Sequence, residues 1–189
     1  MKISLEYIYK KVIGFLKQNK YEYIVIGGIA AGILGEPRFT ADVDIDILLN
    51  KGQIGEFLNK ARKAGFKFDA KTCKKRIKES GTLQVNCGDF HIDFIIASTA
   101  FEKEAFERKQ ELSLYGIKAF FPTSEDLILL KVIPGRFQDL SDIEKIIMRQ
   151  KEKLDLKYLK NWAEQLSDEA QDARIINEVQ KFLGQRSKK

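Results

Sequence analysis

Residues 24–49, IVIGGIAAGILGEPRFTADVDIDILL, decide how this chain is read. A short apolar run meets Gly27-Gly28, the segment 29–34 suits a brief helix closed by Gly35 and Pro37, and then Asp42, Asp44 and Asp46 alternate with Val43, Ile45 and Ile47. Period-two alternation is the mark of a strand, and residues two apart lie on one face, about 7 Å apart along it. Three carboxylates therefore share one face of a strand whose aliphatic neighbours bury it at least by half. Unpaired carboxylates in such a place are costly. A divalent cation held by oxygen ligands is the simplest compensating charge.

Outward from this stretch, apolar spacing predicts an amphipathic helix over 3–18 (Ile3, Leu5, Ile8, Val12, Ile13, Phe15, Leu16) and a strand over 21–26. A helix over 52–64 ends at Gly65, and strands over 82–87 and 90–97 join through Gly88-Asp89, a hairpin signal. A charged helix over 101–110 and a strand-like stretch over 112–121 around Gly116 follow. From Thr123 the pattern stays helical: 124–133, 139–150, 154–166 and about 169–183, with a basic tail, residues 184–189, that should fray. Pro134 should kink or end the first of these helices near Ile133. The fold class expected is α+β: a mixed sheet flanked by helices over 1–122, with a helical region over 123–189 packed on it.

The chain has 189 residues, 44% hydrophobic and 32% charged, which suits one globular domain with a sizeable core. No apolar run approaches the roughly 18 residues of a membrane span, so no membrane partner is expected. The amphipathic N-terminus lacks the apolar block of a secretory signal, so a cytoplasmic location is expected. One histidine, His91, and two cysteines, Cys73 and Cys87, fit no zinc motif. Net charge is +6, and nine basic residues fall between Lys60 and Lys78 with only Asp69 among them. Such a stretch favours a polyanionic partner, RNA foremost, although a lysine-rich solvated surface reads the same way.

A second acid stands alone in an apolar strand: Asp93, between Ile92 and Phe94. Gly27-Gly28, then Arg38-x-Thr40-x-Asp42-x-Asp44, then Asp93 resembles the nucleotidyltransferase superfamily, the DNA polymerase β-like fold. Within it, the stretch is most similar to small prokaryotic nucleotidyltransferases related to abortive-infection toxins. Ser124-Glu125-Asp126-Leu127 followed by Lys131, Arg136, Asp139 and Asp142 resembles the family's helical segment. The two blocks together span most of the chain.

The resemblance implies a magnesium-dependent enzyme that moves a nucleoside monophosphate from a nucleoside triphosphate, ATP among the candidates, to an acceptor hydroxyl on RNA or tRNA, protein or a small molecule, with release of pyrophosphate. It implies that Gly27 and Gly28 cradle the triphosphate, with Arg38, Thr40 and Lys131 as further nucleotide-binding residues. Asp42 and Asp44 match the paired metal ligands and Asp93 the third acid, which helps deprotonate the acceptor; two magnesium ions are implied. Asp46 offers an alternative pairing with Asp44. Lys131 reads equally as a snorkelling lysine, and an Arg136–Asp139 pair as a support of the helix junction. His91 shares the face of Asp93 in a regular strand. A rival reading is a non-catalytic nucleotide- or partner-binding module of a toxin–antitoxin system, with a cognate protein partner on the helical third.

Overall fold

The computed structural model describes residues 4–186; Ile3 of the first predicted helix and tail residues 187–189 lie outside the described residues. In chain order the elements are α1 (Leu5–Gln18), β1 (Tyr23–Val25), α2 (Gly27–Leu34), β2 (Asp42–Ile47), α3 (Ile54–Lys63), α4 (Ala70–Ser80), β3 (Thr82–Cys87), β4 (Phe90–Ile96), α5 (Ala100–Glu107), β5 (Gln110–Leu114) and β6 (Ile117–Phe121). Then come α6 (Ser124–Val132), α7 (Phe137–Gln150), a single 3-10 turn (Lys151–Lys153), α8 (Leu156–Ala170) and α9 (Arg174–Arg186). The α+β class read from the pattern is what folds. The chain forms two compact units: residues up to Gly28 with Phe39–Phe121, and Ile29–Arg38 with the residues from Pro122 onward.

The first unit is built on a four-stranded sheet in the order β1-β2-β4-β3. β2 runs parallel to β4, while β1 and β3 run antiparallel to their neighbours. Its apolar face carries Val43, Ile45, Ile47, Leu83, Val85, Ile92 and Phe94, all buried. The Phe57 ring of α3 meets Phe94 edge-on at 5.1 Å, and Phe15 of α1 meets Phe57 at 5.6 Å and Phe66 at 5.4 Å. Each such buried ring contributes about 3 kcal/mol by area alone. The Ser4 hydroxyl accepts from Tyr7 N–H to cap α1.

Two elements of this unit differ from the sequence expectation. α4 lies where only a basic stretch was legible, because Cys73 and Ile77 are the sole large apolar residues among its lysines. Asp69 caps it and Gly81, at φ +67°, ends it. The strand-like stretch near Gly116 is a hairpin, β5 and β6, turned by Tyr115 (φ +52°) and Gly116 (φ +75°), a pair of positive φ values that matches strand twist. The β3–β4 hairpin forms as expected, with Cys87 opposite Phe90.

In the second unit α6 is buried almost all round and stops at Val132, before Pro134, because proline cannot continue the ladder. The segment 29–38, which the pattern at 122 assigns to the sheet-bearing part, groups instead with the helices that follow Pro122. Its contacts explain this: Arg149 Nη1 donates to Gly35 O at 2.6 Å and Gln150 Nε2 to Leu34 O at 2.9 Å. The helical run 154–183 is interrupted at Gln171, φ +51°, which separates α8 from α9. Gly184–Arg186, expected to fray, complete α9. Among the described residues no helix is long and apolar enough to cross a membrane.

Candidate active site

Parallel pairing of β2 with β4 turns an alternating pattern into an acidic patch. Asp44 lies directly opposite Asp93, and Asp42 opposite His91. Opposed residues on neighbouring strands point to the same face, with the strands about 4.8 Å apart. β3 continues the rows: Gln84 is opposite Asp93 and Asn86 opposite His91. Asp42, Asp44 and Asp93 are half-buried. Like charges directly opposed destabilise a sheet, so the Asp44–Asp93 opposition is a local electrostatic cost, eased on the Asp93 side by Arg76.

Gly27 borders this patch. Its φ is +64°, a value that favours glycine, and a Cβ built there would overlap the Asp44 carboxylate, lying 2.6 Å from Cγ. The Ile26 N–H donates to Asp44 O at 2.9 Å, which fixes the diglycine turn against β2. Gly27 and Gly28 open α2, and helix-opening amides suit an anion. Thr40 donates through Oγ1 to Asp42 O at 3.4 Å.

Asp93 has partners that the sequence did not reveal. Gln84 Nε2 donates to both of its oxygens at 2.9 and 3.1 Å, and Arg76 Nη2 of α4 lies 3.8 Å from Oδ1. Strand register alone exposes Gln84, because only the β3–β4 pairing puts it beside Asp93. His91 Nδ1 lies 2.6 Å from Asn86 Oδ1 and its side chain is exposed.

Asp46 differs from the other acids of β2. It is 2% exposed, and its Oδ1 finds no hydrogen-bond partner among the described residues. Burial, helped by the charges of Glu102 and Asp44, pushes its carboxyl well above the usual carboxylate range. Asp46 is therefore the acid of the three that favours keeping its proton.

Arg38 and Lys131 lie in the second unit, in a charge cluster of their own. Arg38 grips Asp142 with two donors, Nε at 2.8 Å and Nη2 at 2.9 Å. Lys131 Nζ lies 2.8 Å from Asp142 Oδ2 and 3.1 Å from Asp139 Oδ1, and Arg136 Nε donates to Asp139 Oδ2 at 2.8 Å. Burial alone would raise the Asp142 carboxyl, but the Arg38 and Lys131 hydrogen bonds outweigh it and hold it below the ordinary value.

As placed, the acids do not close round a point: among the described residues no three His, Cys, Asp or Glu side chains form a ready cation cage. The donor set nonetheless fits magnesium. It consists of hard carboxylate oxygens on two acids opposed across one ladder, Asp44 packing against the diglycine turn in the place a Gly27 Cβ would take.

Solved structures share the fold. The chain is 14% identical to ANT(2")-Ia, whose structure is in complex with adenylyl-2"-tobramycin, over 87% of this chain and 98% of that one, with a TM-score of 0.61. It is 14% identical to the lincomycin-bound lincosamide antibiotic adenylyltransferase LnuA over 76% of this chain and 96% of that one, with a TM-score of 0.54. No curated protein matches the chain. A family model described as a nucleotidyltransferase of unknown function (DUF6036) matches residues 5–187, nearly the whole chain. The acidic strand pair beside a diglycine turn thus sits in a chain that belongs to this nucleotidyltransferase family.

Proposed function

We propose that the protein is a magnesium-dependent enzyme that transfers a nucleoside monophosphate from a nucleoside triphosphate to an acceptor hydroxyl and releases pyrophosphate. The observation that carries this reading is the direct opposition of Asp44 and Asp93 on one sheet face beside Gly27. Asp42 and Asp44 would hold the divalent ions, with Asp93 as the third ligand. Bound there, the ions would supply Lewis-acid stabilisation of the charge on the attacking and leaving oxygens. Asp46, buried and with its carboxyl pushed well above the usual range, is the weaker alternative as a ligand.

This chain's own groups would do the rest. The Gly27 and Gly28 amides bind triphosphate oxygens. Asp93, oriented by Gln84, accepts the proton of the acceptor hydroxyl as its oxygen bonds to the α-phosphorus. The bond from that phosphorus to the bridging oxygen breaks, and pyrophosphate carries away the electron pair. Positioning and charge neutralisation supply most of the catalysis in such a transfer. The likeness to a lincosamide antibiotic adenylyltransferase, and to ANT(2")-Ia solved with adenylyl-2"-tobramycin, supports adenylyl transfer from ATP as the first chemistry to test.

The test is incubation with each α-labelled nucleoside triphosphate, magnesium, and cellular RNA, protein or aminoglycoside. Label on an acceptor with stoichiometric pyrophosphate, lost in Asp44→Asn, is the expected result. Absence of both products from every combination overturns the reading. Triphosphate binding that ignores magnesium and Asp44→Asn would instead favour a partner-binding module of a toxin–antitoxin pair.

A further inference from the structure

The chain treats its surface lysines in two ways. On α1, Lys10 pairs with Glu6 at 2.7 Å, and on α3, Lys60 pairs with Glu56 at 2.6 Å. Both follow the favourable order, with the acid four residues before the base. α4 reverses the habit. Lys71, Lys74, Lys75 and Lys78 are exposed at i, i+3, i+4 and i+7, one stripe of the helix. Lys71–Lys75 and Lys74–Lys78 are like-charge pairs at i,i+4, each costing a few tenths of a kcal/mol.

Little relieves that repulsion. Glu79 reaches Lys75 only at 3.8 Å, and among the described residues Lys71, Lys74 and Lys78 make no ion pair. Asp69 is committed to the cap, accepting from Thr72 N–H at 2.7 Å. The opposite side of the helix carries Cys73 against β3, its thiol donating to Gln84 O at 3.4 Å. Between stripe and sheet, Arg76 reaches Asp93. One helix thus joins an unneutralised cationic stripe to the acid assigned as proton acceptor.

We infer that α4 is a docking surface for the phosphodiester backbone of a single-stranded RNA end, which presents its terminal hydroxyl as the acceptor. The acceptor role rests on the nucleotidyl-transfer reading; the docking does not. The stripe spans about 10 Å of helix axis, enough for a few successive phosphates. A single-stranded RNA end leaves phosphates and terminal hydroxyls exposed together. A small neutral or cationic acceptor would gain nothing from four lysines.

The experiment is fluorescence anisotropy of a labelled single-stranded RNA against the full chain over a salt series, without nucleotide. The variant K71Q/K74Q/K75Q/K78Q is compared with the charge-matched K103Q/K153Q/K157Q/K160Q. Both are checked for folding by circular dichroism; glutamine removes the α4 repulsion, so that helix is expected to persist. The expected result is a fall of about 3 in the slope of log affinity against log salt for the α4 variant only, near 0.7 per phosphate contact. With labelled triphosphate present, label enters RNA in the wild type and falls at least about tenfold in the α4 variant. Equal affinity for both variants overturns the inference, as does equal binding of a DNA of the same sequence that also takes the label. Label that goes to protein while RNA is ignored overturns it in favour of a protein acceptor. RNA bound through α4 with no pyrophosphate from any triphosphate upholds the docking and sinks the nucleotidyl-transfer reading instead.

Discussion

Asp46 on β2 and Asp142 on α7 are equally hidden, each 2% exposed, yet they end in opposite states. Asp142 is met by two donors of Arg38, by Lys131 and by Gln138, and its carboxyl is held below the ordinary range in spite of burial. Asp46 has an orphaned Oδ1 and two acidic neighbours, and its carboxyl is pushed well above that range. Burial alone therefore does not decide the charge of a carboxyl; partners supplied by the surrounding elements can outweigh it. The acids of the second unit are met by Arg38, Lys131 and Arg136, while Asp93 beside Asp44 is met by Gln84 and, at 3.8 Å, by Arg76.

The largest effect should separate chemistry from scaffolding. Asp44→Asn is expected to lower nucleotidyl transfer about a hundredfold or more while leaving the denaturation midpoint nearly unchanged, read by label transfer beside urea unfolding. A loss of stability that tracks the loss of activity would make Asp44 a structural acid like Asp142.

Asp142→Ala should do the reverse in the second unit. It strands Lys131, 5% exposed, with half its compensation, and breaking a buried pair costs about 3–5 kcal/mol. Urea denaturation reads this directly. A cost within experimental error would mean that Arg38 and Lys131 find water in place of the carboxylate.

pH should then split the two acids by sign. Asp142, depressed in the folded state, contributes stability that is present above the unfolded carboxylate value of about 3.9 and is lost as pH falls through its lower folded value. Asp46, raised in the folded state, behaves oppositely: its contribution is whole below about 3.9 and drains away as pH climbs toward its folded value. Asp46→Asn should therefore gain on the wild type as pH rises above about 4, in parallel thermal melts. A difference that stays constant over that range would show Asp46 to be ionised in the fold.

The smallest effect tests the neighbour. Glu102→Gln keeps an acceptor oxygen for the Ser98 and Thr99 amides that Glu102 now serves but removes a charge that acts on Asp46. The Asp46 titration, followed by carboxyl 13C NMR, should move modestly toward the ordinary range. No movement would leave burial and the Asp44 charge as its causes.

Much of this was open to reading before any coordinates. The Gly88-Asp89 turn and the Pro134 stop each rest on a rule that acts over a few residues, and each element they bound is present. α4 escaped because its two apolar anchors are outnumbered by lysines, and the Tyr115-Gly116 hairpin because its strands alternate weakly. Lys131 was legible as an anomalous charge in an apolar helix. Its embrace by Asp139 and Asp142 was not, because those residues lie a turn and a helix away.

Local pattern was thus enough to establish strands, helices and a shared face for Asp42, Asp44 and Asp46, since pleat and helix periods are properties of neighbouring residues. Which of these acids faces Asp93, which carboxyl burial pushes up and which cations are already paired followed only from strand pairing and helix packing. Those outcomes depend on distances between residues far apart in the chain, and electrostatic interactions follow distance in space and not position in sequence.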